Sequence, residues 1–301
     1  MSARRLTVFI LGTITLLSLV FLTANLSGLD IPVLKPSGEI ASRQSRLIIF
    51  TVFLAAVVVM PVFVMLGLFA WRYRSGNKKP KRDSEWSSDK KLEIIWWGIP
   101  SLIIIVLCVV TYMTSHSLDP YKKIESNEQT LNVQVVALQW KWLFIYPDQK
   151  VATVNELTIP EETPVSFRIT ADAPMSSFWI PALGSQVYSM NGMTTQLNLI
   201  ASDTGEFDGY NTNINGEGYS KMKFKVKSVS SQDFREWTSL HSGSMHTLDR
   251  VHFDELASPG TISAPMYMSL KEPDIFDYAL SKYHEVKSDT NSSVDQKEGH
   301  H

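Results

Sequence analysis

The chain has 301 residues, with 28 Lys and Arg against 30 Asp and Glu and a formal net charge of -2. That balance supplies no clustered cationic face for a phosphate backbone, so nucleic acid is not expected as a partner. The one cysteine, Cys108, lies inside an apolar run, which excludes an intrachain disulfide and a thiolate metal cluster.

Residues 1–24 hold Arg4 and Arg5, an apolar stretch from Leu6 to Leu22, and then small and polar residues. This is the layout of a signal segment open to cleavage. Leu22-Thr23-Ala24 before Asn25 has the form of a lipoprotein cleavage box with Asn where the lipidated Cys would stand. Thioether lipidation needs a sulfur nucleophile, so no lipid is expected at Asn25. Residues 25–46 then read as a short extracytoplasmic segment.

Residues 47–71 and 94–115 are each apolar for about the length a helix needs to cross ~30 Å of hydrocarbon, so both are expected to span a bilayer. Pro61 and Pro100 fall inside them, which a membrane helix tolerates when neighbours satisfy the freed carbonyls. The connection, residues 72–93, carries Arg72, Arg74, Lys78, Lys79, Lys81, Arg82, Lys90 and Lys91 against Asp83, Glu85 and Asp89. Excess Lys and Arg in a short loop mark the cytoplasmic side, so everything after residue 116 projects to the opposite, periplasmic face. Trp71, Tyr73, Trp96 and Trp97 flank that loop as an aromatic belt.

Beyond the spans the chain alternates apolar and polar residues, the signature of half-buried strands. Leu131, Val133 and Val135 alternate with Asn132 and Gln134; Val165, Phe167 and Ile169 with Ser166 and Arg168; Met222, Phe224 and Val226 with lysines. Turn residues between them point to an all-β sandwich over about residues 128–228. Residues 229–286 read as an appended α-helical region, with Phe234, Trp237 and Leu240 at three-residue spacing. The polar tail 287–301 is expected to be disordered.

Two stretches carry a resemblance: Ser176-Ser177-Phe178-Trp179-Ile180-Pro181-Ala182-Leu183-Gly184, and the run GYNTNINGEGYSKM from Gly209 to Met222. With two spans and a basic hairpin ahead of a sandwich, the chain resembles subunit II of the heme-copper oxidases over roughly residues 40–280. The fold so implied is a membrane-anchored α+β chain: a two-helix transmembrane hairpin, an all-β cupredoxin-like sandwich, and a short C-terminal α-helical region. In the cytochrome c oxidase branch the two stretches read like H-S-W-x-x-P-x-L-G and G-x-C-S-E-x-C-G-x-x-H-x-x-M and hold a two-copper centre.

Such a centre takes bridging thiolates and imidazoles, with a thioether and a carbonyl as weaker ligands. At the matching positions stand Asn211 and Asn215 for the thiolates, Ser176 and Tyr219 for the imidazoles, Asn213 for the carbonyl donor, and Met222 unchanged. Between His116 and His241 there is no His or Cys. The sequence therefore predicts that this chain binds no metal and no cofactor.

That pattern resembles the quinol oxidases of the cytochrome bo type. The resemblance implies a subunit, not catalytic alone, of a proton-pumping bacterial inner-membrane complex that oxidises ubiquinol and reduces dioxygen to water. Hemes and copper are then expected in subunit I, with subunits III and IV and the lipid bilayer as further partners and no cytochrome c.

Glu93, at the cytoplasmic start of the second span, reads from sequence as a carboxylate favoured by a helix N-terminus. The resemblance implies instead that it is the entrance of a proton pathway continuing into subunit I. Trp140-Lys141-Trp142 reads as buried aromatic packing rather than an electron relay. Met175, Met190 and Met193 read as packing side chains, since thioethers fill irregular gaps.

Overall fold

The computed structural model describes residues 32–74, 89–126 and 128–283. The signal-like segment with Asn25, the central part of the basic loop and the tail 287–301 lie outside the described residues. Contacts divide the chain into a helical unit and a head, and residues 32–45 belong to the head.

Helix α1 runs Glu39–Arg72, its residues 39–45 counted with the head and the rest with the helical unit, and α2 runs Lys90–Ser117. Both exceed the apolar runs 47–71 and 94–115, because the polar flanks contain no helix breaker. Pro61 and Pro100 lie inside the helices. Phe53, Phe63 and Leu66 on α1 and Ile94, Leu102 and Ile105 on α2 are exposed. Such faces suit hydrocarbon, where the backbone must be satisfied within the helix. Hydroxyls are satisfied locally as well: Thr51 donates to the Leu47 carbonyl at 2.9 Å and Thr114 to that of Val110 at 2.7 Å.

The first turns of α1 are stitched into the head. Ser37 N–H donates to the Ala182 carbonyl at 2.8 Å, Ala41 N–H to that of Leu183 at 3.1 Å, and Ser202 N–H to that of Ser37 at 2.8 Å. Gly38 permits this approach, since a Cβ there would lie 2.6 Å from the Ile200 carbonyl oxygen.

The head is two sheets. The strands are β1 (Leu131–Leu138), β2 (Lys141–Tyr146), β3 (Val151–Val154), β4 (Glu156–Pro160), β5 (Val165–Ala171), β6 (Ser176–Trp179), β7 (Val187–Ser189), β8 (Thr195–Leu199), β9 (Gly205–Asn211), β10 (Lys223–Val229), β11 (Thr247–Leu248) and β12 (Met266–Leu270). One sheet has the order β11-β12-β3-β2-β1-β5-β8 and the other β4-β10-β9-β6-β7. Between them sits an aromatic core of Trp142, Phe144, Phe178 and Phe224, with the Phe178 and Phe224 rings stacked 5.2 Å apart. The alternation seen in sequence sets which side chains enter it: Phe224 and Val226 are buried while Lys223 and Lys225 face water.

The region 229–286 departs from the helical expectation. It holds α3 (Ser231–Ser242), α4 (Arg250–Ala257) and a helical stretch at 275–283, but also strands β11 and β12. β12 pairs antiparallel with β3, Met268 opposite Ala152. Without it β3 would present an open edge. The cause is a second apolar face: Leu143, Ile145, Ala152 and Val154 point away from the aromatic core and pack on Leu248, Phe253, Met268 and Phe276. β2 and β3 are thus buried on both faces.

Candidate functional site

β6 pairs with β9 at Phe178↔Asn211 and Trp179↔Tyr210. After Asn211 the chain leaves the sheet and returns to β10 through a 3-10 turn, Tyr219–Lys221. This pairing brings the start of β6 against the loop, and the sequence-read positions meet there.

Asn211 is buried, and its Oδ1 accepts from the backbone N–H of Ser177 at 2.9 Å and of Asn213 at 3.0 Å. Its Nδ2 donates to the Asn213 carbonyl at 2.9 Å. Asn213 donates through Nδ2 to the Met175 carbonyl at 2.7 Å. Asn215 donates to Ser176 Oγ at 2.8 Å and more weakly to Met222 Sδ at 3.5 Å. Ser176 passes its own proton to the Pro174 carbonyl at 3.1 Å, and Asn215 Oδ1 is buried without a partner.

The side-chain bonds form two groups, Asn211 with Asn213 and Asn215 with Ser176 and Met222, joined by the Asn211 N–H on the Met222 carbonyl at 3.1 Å. Tyr219 is held by its backbone alone, its N–H on the Gly216 carbonyl and its carbonyl accepting from Met222 N–H at 3.1 Å.

These donors do not fit a two-copper centre. Amide and hydroxyl groups are hard and neutral, and one thioether cannot replace bridging thiolates. The Asn215 NH2, which carries no lone pair for a metal, points at both Ser176 Oγ and Met222 Sδ. Among the described residues no group of three or more His, Cys, Asp or Glu is placed to hold an ion.

Sequence reasoning missed the role of Trp140, which sits at φ 66 and covers the loop. Its Nε1 donates to the Asn215 carbonyl at 3.4 Å, and a Cβ at Gly218 would lie 2.3 Å from its ring. The pair Gly216 and Gly218 ahead of Tyr219 was the available signal. Trp142 is fully buried beneath, edge-on to Phe178 at 5.3 Å, in keeping with the packing reading. Lys141 between them donates to the Ser258 carbonyl at 2.9 Å, and burial pushes its ammonium down. At the sheet beside the loop, burial and then Asp208 push the Tyr210 phenol up.

The packing reading fails for two methionines. Met175 is 43% exposed and Met193 53%, because both lie on loops beyond the ends of their strands. Met190 is half-buried and accepts from Thr170 Oγ1 at 3.4 Å. Glu93 stands in the first turn of α2, one turn after Asp89, whose carbonyl accepts the Glu93 N–H at 3.0 Å.

Two long apolar helices ahead of a two-sheet sandwich define a membrane-anchored cupredoxin-like subunit. The family model for the periplasmic domain of cytochrome c oxidase subunit II matches residues 149–229, and that for its transmembrane domain matches residues 33–113. The chain is 44% identical over 258 residues to cytochrome bo(3) ubiquinol oxidase subunit 2 of Pseudomonas putida, covering 86% of this chain and 82% of that protein. It is 44% identical over 260 residues to ubiquinol oxidase subunit 2 of Acetobacter aceti, covering 86% and 84%. The Pseudomonas aeruginosa cytochrome bo(3) ubiquinol oxidase subunit 2 is 41% identical over 258 residues, covering 86% and 78%. The chain belongs to the subunit II family of the heme-copper oxidases, among its ubiquinol oxidase members.

Proposed function

We propose that this chain is the redox-silent subunit of a membrane complex that oxidises ubiquinol, reduces dioxygen to water and moves protons across a bacterial inner membrane. The observation that carries this reading is the amide network: where the family's electron relay needs sulfur and imidazole donors, Asn215 offers an NH2 to Ser176 and Met222. An electron arriving from water would find no centre to accept it. A lipid-soluble quinol needs none, since it reaches a heme-bearing subunit from within the bilayer.

In this reading hemes and copper belong to subunit I, subunits III and IV complete the complex, and cytochrome c is not a partner. The head lies in the periplasm and serves assembly with subunit I. Glu93, at the cytoplasmic end of α2, supplies the proton entrance, a role supported by its being an ionisable residue at a membrane boundary.

The test is purification of the complex in mild detergent. Ubiquinol-dependent oxygen uptake is expected, with hemes in the large subunit and no copper following this chain. Reduction of the head by a soluble heme protein, with a mixed-valence copper spectrum, would overturn the proposal.

A further inference from the structure

We infer that Asn211, Asn213 and Asn215 form a metal-free cross-link that fixes the Asn211–Met222 loop to the start of β6. This rests on the copper-free reading of the site and goes beyond it, because a lost metal centre need not be replaced by anything.

Three loop asparagines bind three consecutive residues at the start of β6: Asn211 takes the Ser177 N–H, Asn215 binds Ser176 Oγ, and Asn213 binds the Met175 carbonyl. An Asx turn, in which Asn211 Oδ1 accepts the Asn213 N–H, curls the chain here so that all three amides reach the start of β6. Asparagine suits this task because its short side chain carries both a donor pair and an acceptor. Asn211 uses both ends, binding the backbone of Ser177 and Asn213 through Oδ1 and the Asn213 carbonyl through Nδ2.

The loop needs such ties. Residues 212–218 lie outside every strand, and the 3-10 turn at Tyr219–Lys221 is its one helical piece. Trp140 covers it from one side against Gly216 and Gly218 and adds one long bond, Nε1 to the Asn215 carbonyl at 3.4 Å, which by itself holds only position 215. The bonds also form where water is scarce, since Asn211, Ser176 and Ser177 are all buried. Breaking one there leaves groups unpaired rather than rehydrated. An ion bound by the same positions would tie the same two segments, so the asparagines preserve that mechanical tie while removing the donors.

The experiment is backbone amide exchange by mass spectrometry on the full chain in its detergent-solubilised complex, with metal content measured on the same sample. In the unmodified protein a copper chelator should leave exchange at 211–222 unchanged. Asn211→Leu and Asn215→Leu should each speed exchange in peptides covering 175–177 and 211–222 about tenfold. The double variant should fall short of the product of the two, because one loop opens as a unit. Asn211→Asp retains both acceptor bonds and should keep most of the protection. Peptides from β1 and β2 should not change.

If the leucine variants fail to assemble, Asn213→Ala removes only the exposed tie to Met175 and must still loosen residues 211–215. Unchanged exchange in every variant, with no copper beyond that held by subunit I, overturns the cross-link and leaves the copper-free reading standing. Copper held by this chain beyond that of subunit I, whose removal loosens the loop, overturns both.

Discussion

Lys282 places its ammonium 2.7 Å from Asp172 Oδ2 and 2.9 Å from Asp254 Oδ1, tying the last described helical stretch both to α4 and to the segment that leads into β6. Tyr283 adds its hydroxyl to Asp172 Oδ1 at 2.6 Å. The Asp172 side chain is 5% exposed, so loss of the cation strands a nearly buried carboxylate. Lys282→Met should therefore cost about 2 kcal/mol, less than a fully buried pair because Lys282 itself keeps contact with water. Partial burial pulls the Lys282 ammonium down, but its bonds to Asp172 and Asp254 outweigh that and hold it above the usual lysine range. The Tyr283 phenol is pushed up to about 12 by burial and then by Asp172. A raised lysine contributes fully below its unfolded value of about 10.4 and is lost only as pH rises through the folded one. Melting curves at neutral and mildly alkaline pH should thus show the same deficit for Lys282→Met.

Asp249 behaves with the opposite sign. It caps α4, accepting the His252 N–H at 3.0 Å and contacting His252 Nδ1 at 2.7 Å. The backbone N–H first, and then the imidazole, hold its carboxyl down to about 2. A depressed carboxylate stabilises above its unfolded value of about 3.9, and that contribution fades as pH falls toward the folded one. Asparagine caps a helix well but lacks the charge. Asp249→Asn should therefore be less stable than the unmodified chain at neutral pH, with the gap closing between about pH 4 and pH 2. Amide exchange in α4 measures it, and a gap that persists at the acid end contradicts the assignment.

Gly209 is the tightest glycine in the head. A Cβ there would lie 2.0 Å from the Phe224 ring, which is enclosed by Trp142, Phe144 and Phe178 and cannot swing aside. Gly209→Ala should destabilise by about 3 kcal/mol or more, at the upper end of overpacking costs. Gly243→Ala, where nothing lies within 4 Å, should be close to neutral in the same thermal melts.

What the sequence made legible follows from range. Alternation at Met222, Phe224 and Val226 is local, and it placed the inward face of β10 directly; the apolar runs did the same for α1 and α2. The start of α1 at Glu39 was not legible, because residues 39–46 are mostly polar and Ala41 is held by the head carbonyl of Leu183. β12 was hidden for a similar reason. Its five residues become a strand only against β3, more than a hundred residues earlier, and short segments take their state from such tertiary partners. At the site, the family resemblance proposed the six positions, but that Asn211 would bind Ser177 while the Tyr219 side chain finds no hydrogen-bond partner among the described residues required coordinates. Asp172 with Lys282 had no sequence signal at all.

Glu93 tests the proton reading separately from the head. It stands in the first turn of α2, and removing its carboxylate touches neither the amide loop nor the core. Glu93→Ala in the assembled enzyme should slow quinol-driven oxygen uptake about tenfold, the effect of ~1.4 kcal/mol on a limiting step. Heme content should stay full, and Glu93→Gln should be as slow as the alanine variant, since an amide keeps the volume but relays no proton. Turnover at the unmodified rate in both variants would return Glu93 to the role of a helix-terminal charge.

The C-terminal region is a cover as much as an appendage, and Phe253 is where that can be tested. Its ring is fully buried in the second apolar cluster, edge-on to Tyr278 at 5.9 Å, with Lys282 Nζ 5.3 Å from its centre. Removing it leaves a cavity under α4 that neighbouring strands cannot close, so Phe253→Ala should cost about 3–5 kcal/mol. The loss should be directional. β12, beside β3 in the same sheet, and residues 275–283, packed with Leu143, Ile145 and Val154 in the second cluster, should gain exchange first, while β9 and β10, in the other sheet, should keep their protection. An environment-sensitive apolar dye should bind the variant before its main melting transition, because the outer face of β2 and β3 is as apolar as the inner one. Uniform loosening of both sheets would mean that the cover and the sandwich open as one unit.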